Sequence, residues 1–255
     1  MPAPITHIHF IKQIIKENKD LFSKLNKNII FNGAVAPDLY YGLPTKKHKY
    51  LCENLSAFWH GPNKTNKIGL KFAKDLIKYS KNKKELAFAI GFLSHFILDM
   101  QVHNYLIKIK LMYNINHLVI ENFLDCKYKE NIPLIKFPKR LMREVFKKEC
   151  PNYYYKYKDH FNLIIFIPYL NKILNFISHF IIKRKYKSRR NTKRLMIWDI
   201  VFWIVYYKPI KKLKLKGSFK KFIYPDYNLK EKHIQKIEKE IKKAKIKFIK
   251  KIKQI

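Results

Sequence analysis

The sequence predicts an all-α fold, organised as a single helical domain over residues 1–255. Apolar residues recur at intervals of three and four, the spacing of helices that bury one face. Alternating, strand-like stretches are scarce, and only six glycines occur in 255 residues. Apolar residues make up 47% of the chain, enough for a substantial core, and no internal repeat or low-complexity linker divides it.

The elements of the first half are read from apolar spacing and from turn residues. Residues 9–26 carry a helical stripe of apolar side chains. Glycines and prolines in "FNGAVAPDLYYGLP" (31–44) predict a turn-rich loop. Helices are predicted over 64–80 and 85–112, with a turn at residues 81–84 between them.

The second half is harder to divide into elements. A further helix starts within 115–125, whereas residues 126–160 are mixed and Tyr-rich and predict no definite element. Residues 161–182 and 192–207 are predicted as helices. Both contain apolar runs that invite comparison with membrane spans, but interior polar residues such as Lys172 and Asp199 favour core helices.

The chain carries a formal charge of +37, unevenly distributed. Residues 1–125 carry a net +9 and residues 126–255 a net +28. Such a surplus predicts attraction to phosphate groups of nucleic acid or of anionic lipid. The joint enrichment of Lys, Ile, Asn, Tyr and Phe is equally typical of an AT-rich genome, so both explanations remain open.

Two basic segments contribute most to the charge of the second half. "KRKYKSRRNTKR" (183–194) has eight basic side chains and no acid, and is either a solvated loop or a phosphate-contacting patch. Residues 228–255 form a basic amphipathic helix with eleven lysines. That helix either docks on the protein's own core or lies on a membrane surface.

The three cysteines, Cys52, Cys126 and Cys150, contain no CxxC pair and are odd in number. This excludes a disulfide framework and a thiolate zinc site, and suits a reducing compartment. The segment "MPAPITHIHF" lacks the basic and apolar regions of a signal peptide. We therefore expect a cytoplasmic protein, with peripheral membrane attachment as the alternative.

Metal-binding side chains recur at intervals of four in the apolar stretch "GFLSHFILDMQVHNYL" (91–106). His95, Asp99 and His103 fall on one helix face, and His117 and Glu121 repeat the spacing shortly after. Imidazole nitrogen and carboxylate oxygen are zinc ligands in water-activating sites. Burying a carboxylate without partners costs free energy. The pattern therefore favours a metal site, and a hydrogen-bonded polar patch in the core is the less favoured interpretation.

Five segments, in order, resemble the zinc-dependent phospholipase C family, whose superfamily includes the fungal single-strand-specific nucleases. They are "THIHF", "GAVAPDLYYG", "FWHGPNKTN", "GFLSHFILDMQVHNYL" and "HLVIENFLD", all within residues 1–125. The stretch "YPDYNLKEKHIQKIEKEIKKAKIKFI" (224–249) looks, more loosely, like the family's closing helix. Residues 126–220 carry no motif that matches.

The resemblance implies an all-helical domain built around a multi-zinc cleft that holds up to three zinc ions. The ligands it implies for the first zinc are Asp38, His60, His95 and Asp99. A second zinc would be held by His103, His117 and Glu121. A third would be held by His7, with Asp99 bridging. Asp38 would also act as the catalytic base.

Two departures from the family pattern concern individual ligands. In secreted members the mature N-terminal amine is a zinc ligand, whereas six residues precede His7 here, so that ligand is either absent or replaced, with His9 as the candidate. His48 competes with His60 for the first site. We favour His60, because the "GPNKTN" that follows it and its distance to the "SH" motif resemble the family better. In addition, the lysines around His48 oppose cation binding.

The resemblance implies a zinc-dependent phosphodiesterase, most simply one that hydrolyses phospholipid headgroups as a phospholipase C. A zinc-dependent nuclease is the second hypothesis. The third is a non-catalytic, metal-stabilised helical protein that binds anionic membranes. The partners implied are a phospholipid or other phosphodiester, an anionic membrane surface or nucleic acid, and no obligate protein partner is inferred.

Overall fold

The computed structural model describes residues 4–39, 58–60, 66–113, 124, 127–128, 130, 138–152, 154–155 and 231–254. Within these ranges the chain is predominantly helical and contains no β-strand. The helices are α1 (Pro4–Glu17), α2 (Lys19–Phe22), α3 (Lys27–Leu39), α4 (Lys67–Lys78), α5 (Lys83–Tyr113), α6 (Lys139–Glu149) and α7 (Glu231–Ile252). The all-α prediction is confirmed for the described part of the chain.

Helix α5 lies at the centre, and α1, α3, α4 and α7 all pack against it. Its start is fixed by Asn82, whose side-chain oxygen accepts hydrogen bonds from the backbone N–H groups of Lys84 and Glu85, each at 3.0 Å. These bonds satisfy donors that the first turn of a helix leaves unpaired. Every residue from 87 to 99 is buried, because neighbouring helices cover several sides of α5.

The composition of α5 would also suit a membrane span. Residues Lys83–Ile109 form a helix that is long and apolar enough to cross a bilayer. However, 83% of its apolar 18-residue segment is buried inside the protein. The helices packed around α5 therefore account for its apolar character, as in the core helix of a globular domain.

Two glycines allow α3 and α5 to approach closely. A Cβ atom at Gly33 would lie 2.0 Å from the backbone oxygen of Phe88, and one at Gly91 would lie 1.9 Å from that of Ile30. Both collisions involve backbone, which cannot rotate aside as a side chain can. Only glycine fits at this crossing, which also brings Ala34 against α5.

Helix α7 packs on α5 and α1. Its buried side chains recur at intervals of three and four and are Ile234, Ile237, Ile241, Ala244, Phe248 and Ile252. The Tyr105 hydroxyl lies 2.9 Å from Nδ1 of His233, and Lys245 pairs with Glu17 at 2.7 Å. The predicted amphipathic helix is confirmed, and its apolar face docks on the protein's own core.

Two predicted elements differ from the structure. The helix predicted over 9–26 begins at Pro4 and is interrupted at residue 18, before α2. The loop predicted over 31–44 is wrong as far as residue 39. There Gly33 serves helix packing instead of a turn, and Pro37 lies inside α3. Tertiary packing overrides local propensity at both positions.

Helix α6 was not predicted within the mixed section 126–160. Its four buried residues, Leu141, Met142, Val145 and Phe146, do have helical spacing. An ion pair between Arg140 and the mostly buried Glu85 ties α6 to the start of α5. The helices predicted over 161–182 and 192–207, the basic segment 183–194 and most of 115–125 lie outside the described residues.

Candidate metal centre

Four of the eight side chains predicted as metal ligands meet in one place. They come from three separate segments: His7 from α1, His60 from the short helical segment 58–60, and His95 and Asp99 from α5. All four are at most 1% exposed. We call this group the His–Asp cluster.

Three ligand atoms of the cluster form a nearly regular triangle. Nε2 of His60 lies 3.4 Å from Nε2 of His95 and 3.4 Å from Oδ2 of Asp99. Nε2 of His95 lies 3.6 Å from the same Asp99 oxygen. Tetrahedral zinc with bonds of about 2.0–2.1 Å places its ligand atoms about 3.4 Å apart. The triangle therefore has the dimensions of one face of a zinc coordination tetrahedron.

His7 approaches Asp99 from the other carboxylate oxygen. Its Nε2 lies 3.4 Å from Oδ1, while its ring stacks on that of His95 with centroids 3.9 Å apart. His7, His95 and Asp99 offer ligand atoms that all lie within 4.8 Å of one another. Asp99 thus presents one oxygen to His60 and His95 and the other to His7, the arrangement that a bridging carboxylate requires.

The surroundings of Asp99 suit a bound cation better than a hydrogen-bond network. Its contacts of 3.4–3.6 Å are long for hydrogen bonds, which cluster near 2.9 Å. Among the described residues, neither carboxylate oxygen has a hydrogen-bond partner of ordinary geometry. A fully buried carboxylate in that position is costly unless a counter-charge is supplied.

The electrostatics of the cluster favour an ionised Asp99 carboxylate beside a neutral His95 imidazole. Burial alone would raise the pKa of Asp99, but the imidazoles of His95, His60 and His7 outweigh it and hold that pKa well below its usual range. Burial, with the adjacent His7, lowers the pKa of His95 well below its usual value. A carboxylate and deprotonated imidazole are the forms that bind zinc.

A backbone carbonyl sets the orientation of His95. Its Nδ1 lies 2.8 Å from the carbonyl oxygen of Ala34 on α3, so Nδ1 donates and Nε2 is directed to the cluster. Such a bond fixes the tautomer of a ligating histidine. The close crossing at Gly33 and Gly91 brings this carbonyl into reach, so the glycines contribute to the site through the backbone.

Aromatic side chains enclose the cluster. The Phe96 ring lies 5.4 Å from His60 and 5.0 Å from His95, measured between centroids. A Cβ atom at Gly69 would come within 2.3 Å of that ring, so the absence of a side chain on α4 makes room for it. Trp59, beside His60, is fully buried against Phe72, Phe92 and Phe146 and therefore serves core packing.

Of the other four predicted ligands, the structure describes the side chain of His103 alone. His103 is buried on α5, outside the set formed by His7, His95 and Asp99. Asp38 lies in the last turn of α3, where the structure does not describe its side chain. His117, Glu121 and His48 lie outside the described residues.

His9, the candidate replacement for the terminal amine, has a different set of neighbours. Its ring stacks on Tyr128 at 4.1 Å, and its Nδ1 lies 3.1 Å from a carboxylate oxygen of Glu130. Gln13 contacts its Nε2. Both ring nitrogens of His9 are thus occupied by polar partners away from Asp99.

Sequence spacing could not identify the contact between His95 and the Ala34 carbonyl. The pairing of His95 with the Ala34 carbonyl leaves no side-chain signal, because the acceptor belongs to the backbone. The only local signals are Gly33 and Gly91, which occur in the segments "NGAVAPD" and "IGFLSH". A glycine inside a helix indicates close packing but does not identify the partner helix.

Comparison with known protein families gives one match. The sequence model of the family described as zinc dependent phospholipase C matches residues 6–191, well over half of the chain. All eight predicted ligands fall in this range, which extends beyond the quoted motifs but ends before α7. Among curated proteins and solved structures, none matches the chain.

Proposed function

The chain belongs to the zinc-dependent phospholipase C family, and from this premise we propose that it is a zinc-dependent phosphodiesterase that hydrolyses phospholipid headgroups. Family membership implies a hydrolase that depends on zinc. The observation that supports this activity most directly is the triangle of His60, His95 and Asp99, with edges of 3.4–3.6 Å.

In this proposal His60, His95 and Asp99 would hold one zinc ion, and His7 would hold another together with Asp99. When bound, zinc lowers the pKa of its water to about 7 and polarises a phosphoryl oxygen. The chain supplies a carboxylate that stays ionised and an imidazole that stays neutral, so both are ready to bind at neutral pH. The Ala34 carbonyl holds the His95 ring in position.

The remaining assignments rest on the family pattern. Asp38 completes the first set of ligands and acts as the base that orients and deprotonates the attacking water. Its position at the end of α3, four residues after Ala34, supports this role because α3 already contacts the cluster. His103, together with His117 and Glu121, holds a further zinc ion.

The proposed substrate is a phospholipid, as the family description suggests. A phosphate group bound at the cluster would lie beside an aromatic side chain, because the Phe96 ring lies 5.4 Å from that of His60. An environment of low polarity strengthens electrostatic stabilisation of the charge that develops on the phosphoryl group.

Substrate and metal dependence can be tested together. Purified protein is incubated with phosphatidylcholine vesicles and, separately, with single-stranded DNA, each with and without a zinc chelator. We expect phosphocholine release that the chelator abolishes and added zinc restores. Cleavage of DNA alone would replace the phospholipase assignment with a nuclease. A zinc-loaded protein that cleaves neither substrate, but unfolds on chelation, would contradict catalysis and favour a metal-stabilised binding protein.

A further inference from the structure

Helix α7 presents a lysine-rich surface directly opposite its packed face. At 100° per residue, seven exposed residues lie within about 45° of the direction opposite the buried stripe. They are Lys232, Gln235, Lys239, Lys243, Ile246, Lys250 and Lys253, the last of which immediately follows α7. We call this set the outer face of α7. It lies beyond residues 6–191, the range that the family model matches.

The acidic side chains of α7 lie outside its lysine-rich outer face. Glu238 and Glu240 lie towards the margins, where they contact Lys127 and Gln101 respectively. Lys243 reaches back to Glu240 at 2.7 Å. Among the described residues, no ion pair involves Lys232, Lys239 or Lys250. A row of ammonium groups without acids is therefore available to an external anionic partner.

The geometry of the row suits an extended, flat partner. Lys232 and Lys250 are separated by about 27 Å along the straight axis of α7, at 1.5 Å per residue. A bilayer surface offers phosphate groups over any such distance. Lysine side chains are also long enough to reach headgroups while their aliphatic stems cover apolar surface.

The exposed side chain of Ile246 favours a lipid surface over other polyanionic partners. It is 72% exposed, the most exposed of the large apolar side chains in the described residues, and it lies in the middle of the lysine row. A nucleic-acid backbone offers little apolar surface to such a side chain. The boundary between headgroups and acyl chains does, and helices that lie on membranes combine basic and apolar residues in this way.

We propose that the outer face of α7 docks the protein on an anionic phospholipid bilayer. Lys232, Lys239, Lys243, Lys250 and Lys253 attract the phosphate groups, and Ile246 enters the headgroup boundary. Helix α7 packs directly on α1 and α5, which carry His7, His95 and Asp99, so docking through α7 holds the His–Asp cluster at the membrane. The docking itself does not depend on phosphodiester cleavage.

The test compares two triple variants of the full chain that lose the same charge. Lys232→Gln/Lys239→Gln/Lys250→Gln alters the outer face. Lys24→Gln/Lys27→Gln/Lys84→Gln alters exposed lysines away from α7. Each is sedimented with vesicles of equal parts phosphatidylcholine and phosphatidylglycerol, and binding is separated from hydrolysis by assaying released phosphate esters.

We expect the outer-face variant to bind about tenfold more weakly or worse, since each lysine near an anionic surface contributes substantially. The control should bind within about twofold of the unaltered protein. Equal losses in both variants would show that total charge governs binding, which contradicts a docking face. A protein that does not sediment with these vesicles would also overturn the proposal.

A second pair of variants tests the lipid assignment. Ile246→Ser should weaken vesicle binding about fivefold through lost apolar burial, whereas Ile68→Ser, at a 37% exposed position on α4, should not. Neither should alter binding to single-stranded DNA. If the outer-face lysines govern DNA binding while Ile246→Ser leaves vesicle binding unchanged, the partner is nucleic acid and the lipid proposal fails.

Discussion

The His–Asp cluster and the outer face of α7 place ionisable groups in opposite environments. The cluster holds three imidazoles and a carboxylate at 0–1% exposure, drawn from α1, α5 and the segment 58–60. The outer face holds five exposed lysines, four on α7 and Lys253 immediately after it. Contacts from several helices fix the position of each group in the cluster, whereas the position of each lysine follows from the periodicity of α7 alone.

This difference shows where the chain tolerates change. A buried carboxylate between imidazoles is stable only if its neighbours keep their positions and a cation supplies charge. An exposed lysine is solvated with or without a partner, and its removal disturbs little. We therefore expect changes in the cluster to affect metal content, activity and folding together, and changes on the outer face to affect only attraction to a surface.

The largest effect is expected from Asp99→Asn, which keeps the shape of the side chain and removes its charge. Loss of the carboxylate removes an oxygen ligand from both proposed zinc sites, the one that includes His60 and the one that includes His7. Zinc content and hydrolysis should therefore fall to background. Elemental analysis and a phosphodiester assay provide the measurements. His233→Gln changes a buried histidine on α7 outside the cluster and should keep its zinc; equal loss there would contradict a specific role for Asp99.

The next effect is expected from Gly91→Ala, which would separate the cluster from its supporting carbonyl. The added methyl group collides with the backbone oxygen of Ile30, and overpacking of this kind costs about 1–3 kcal/mol. The separation of α3 from α5 should also weaken zinc binding. Lys84→Ala, at an exposed position on the same helix, should change the free energy of unfolding by less than about 0.5 kcal/mol.

Denaturant titrations with zinc-binding measurements would compare the two variants. Loss of stability in Gly91→Ala with unaltered zinc affinity would show that the helix crossing supports the fold but not the site.

A smaller effect is expected from pH on the metal-free protein. Because burial lowers the pKa of His95 in the folded state, the unfolded chain binds the extra proton more readily below about pH 6.5. The free energy of unfolding should therefore fall as pH drops through that range, by about 1.4 kcal/mol per pH unit for this group. Urea unfolding at several pH values measures the slope, which His95→Gln should reduce; an unchanged slope would contradict this origin.

The smallest effect on stability is expected from the outer-face variant Lys232→Gln/Lys239→Gln/Lys250→Gln. These exposed lysines lack ion-pair partners among the described residues, so the free energy of unfolding should change by less than about 0.5 kcal/mol. On the opposite side of the same helix, Ile241→Ala should cost about 2–4 kcal/mol. Comparable losses from the two faces would mean that the outer lysines serve packing.

The sequence predicted the helical elements best where one periodicity decides the structure. The spacing of His95 and Asp99 placed both on one face of α5, and the apolar stripe of 228–255 identified α7 and its buried side. Prediction from the sequence failed where contacts between residues far apart in the chain determine the local structure. Gly33 and Pro37 suggest a turn locally, but packing against α5 keeps residues 27–39 helical.

The candidate site was predictable in part for the same reason. Helical spacing brings His95 and Asp99 together, but only the family pattern pointed to His7 and His60, which arrive from elsewhere in the chain. The Ala34 carbonyl had no sequence signal. The single domain, the cytoplasmic location, the number of zinc ions and the roles of Asp38, His117 and Glu121 stay predictions.

Anomalous X-ray diffraction at the zinc absorption edge, from crystals of the zinc-loaded protein, would locate the ion directly. We expect a zinc peak within about 2.0–2.2 Å of Nε2 of His60, Nε2 of His95 and Oδ2 of Asp99. A zinc ion bound elsewhere while this triangle holds only water or direct hydrogen bonds would contradict this expectation.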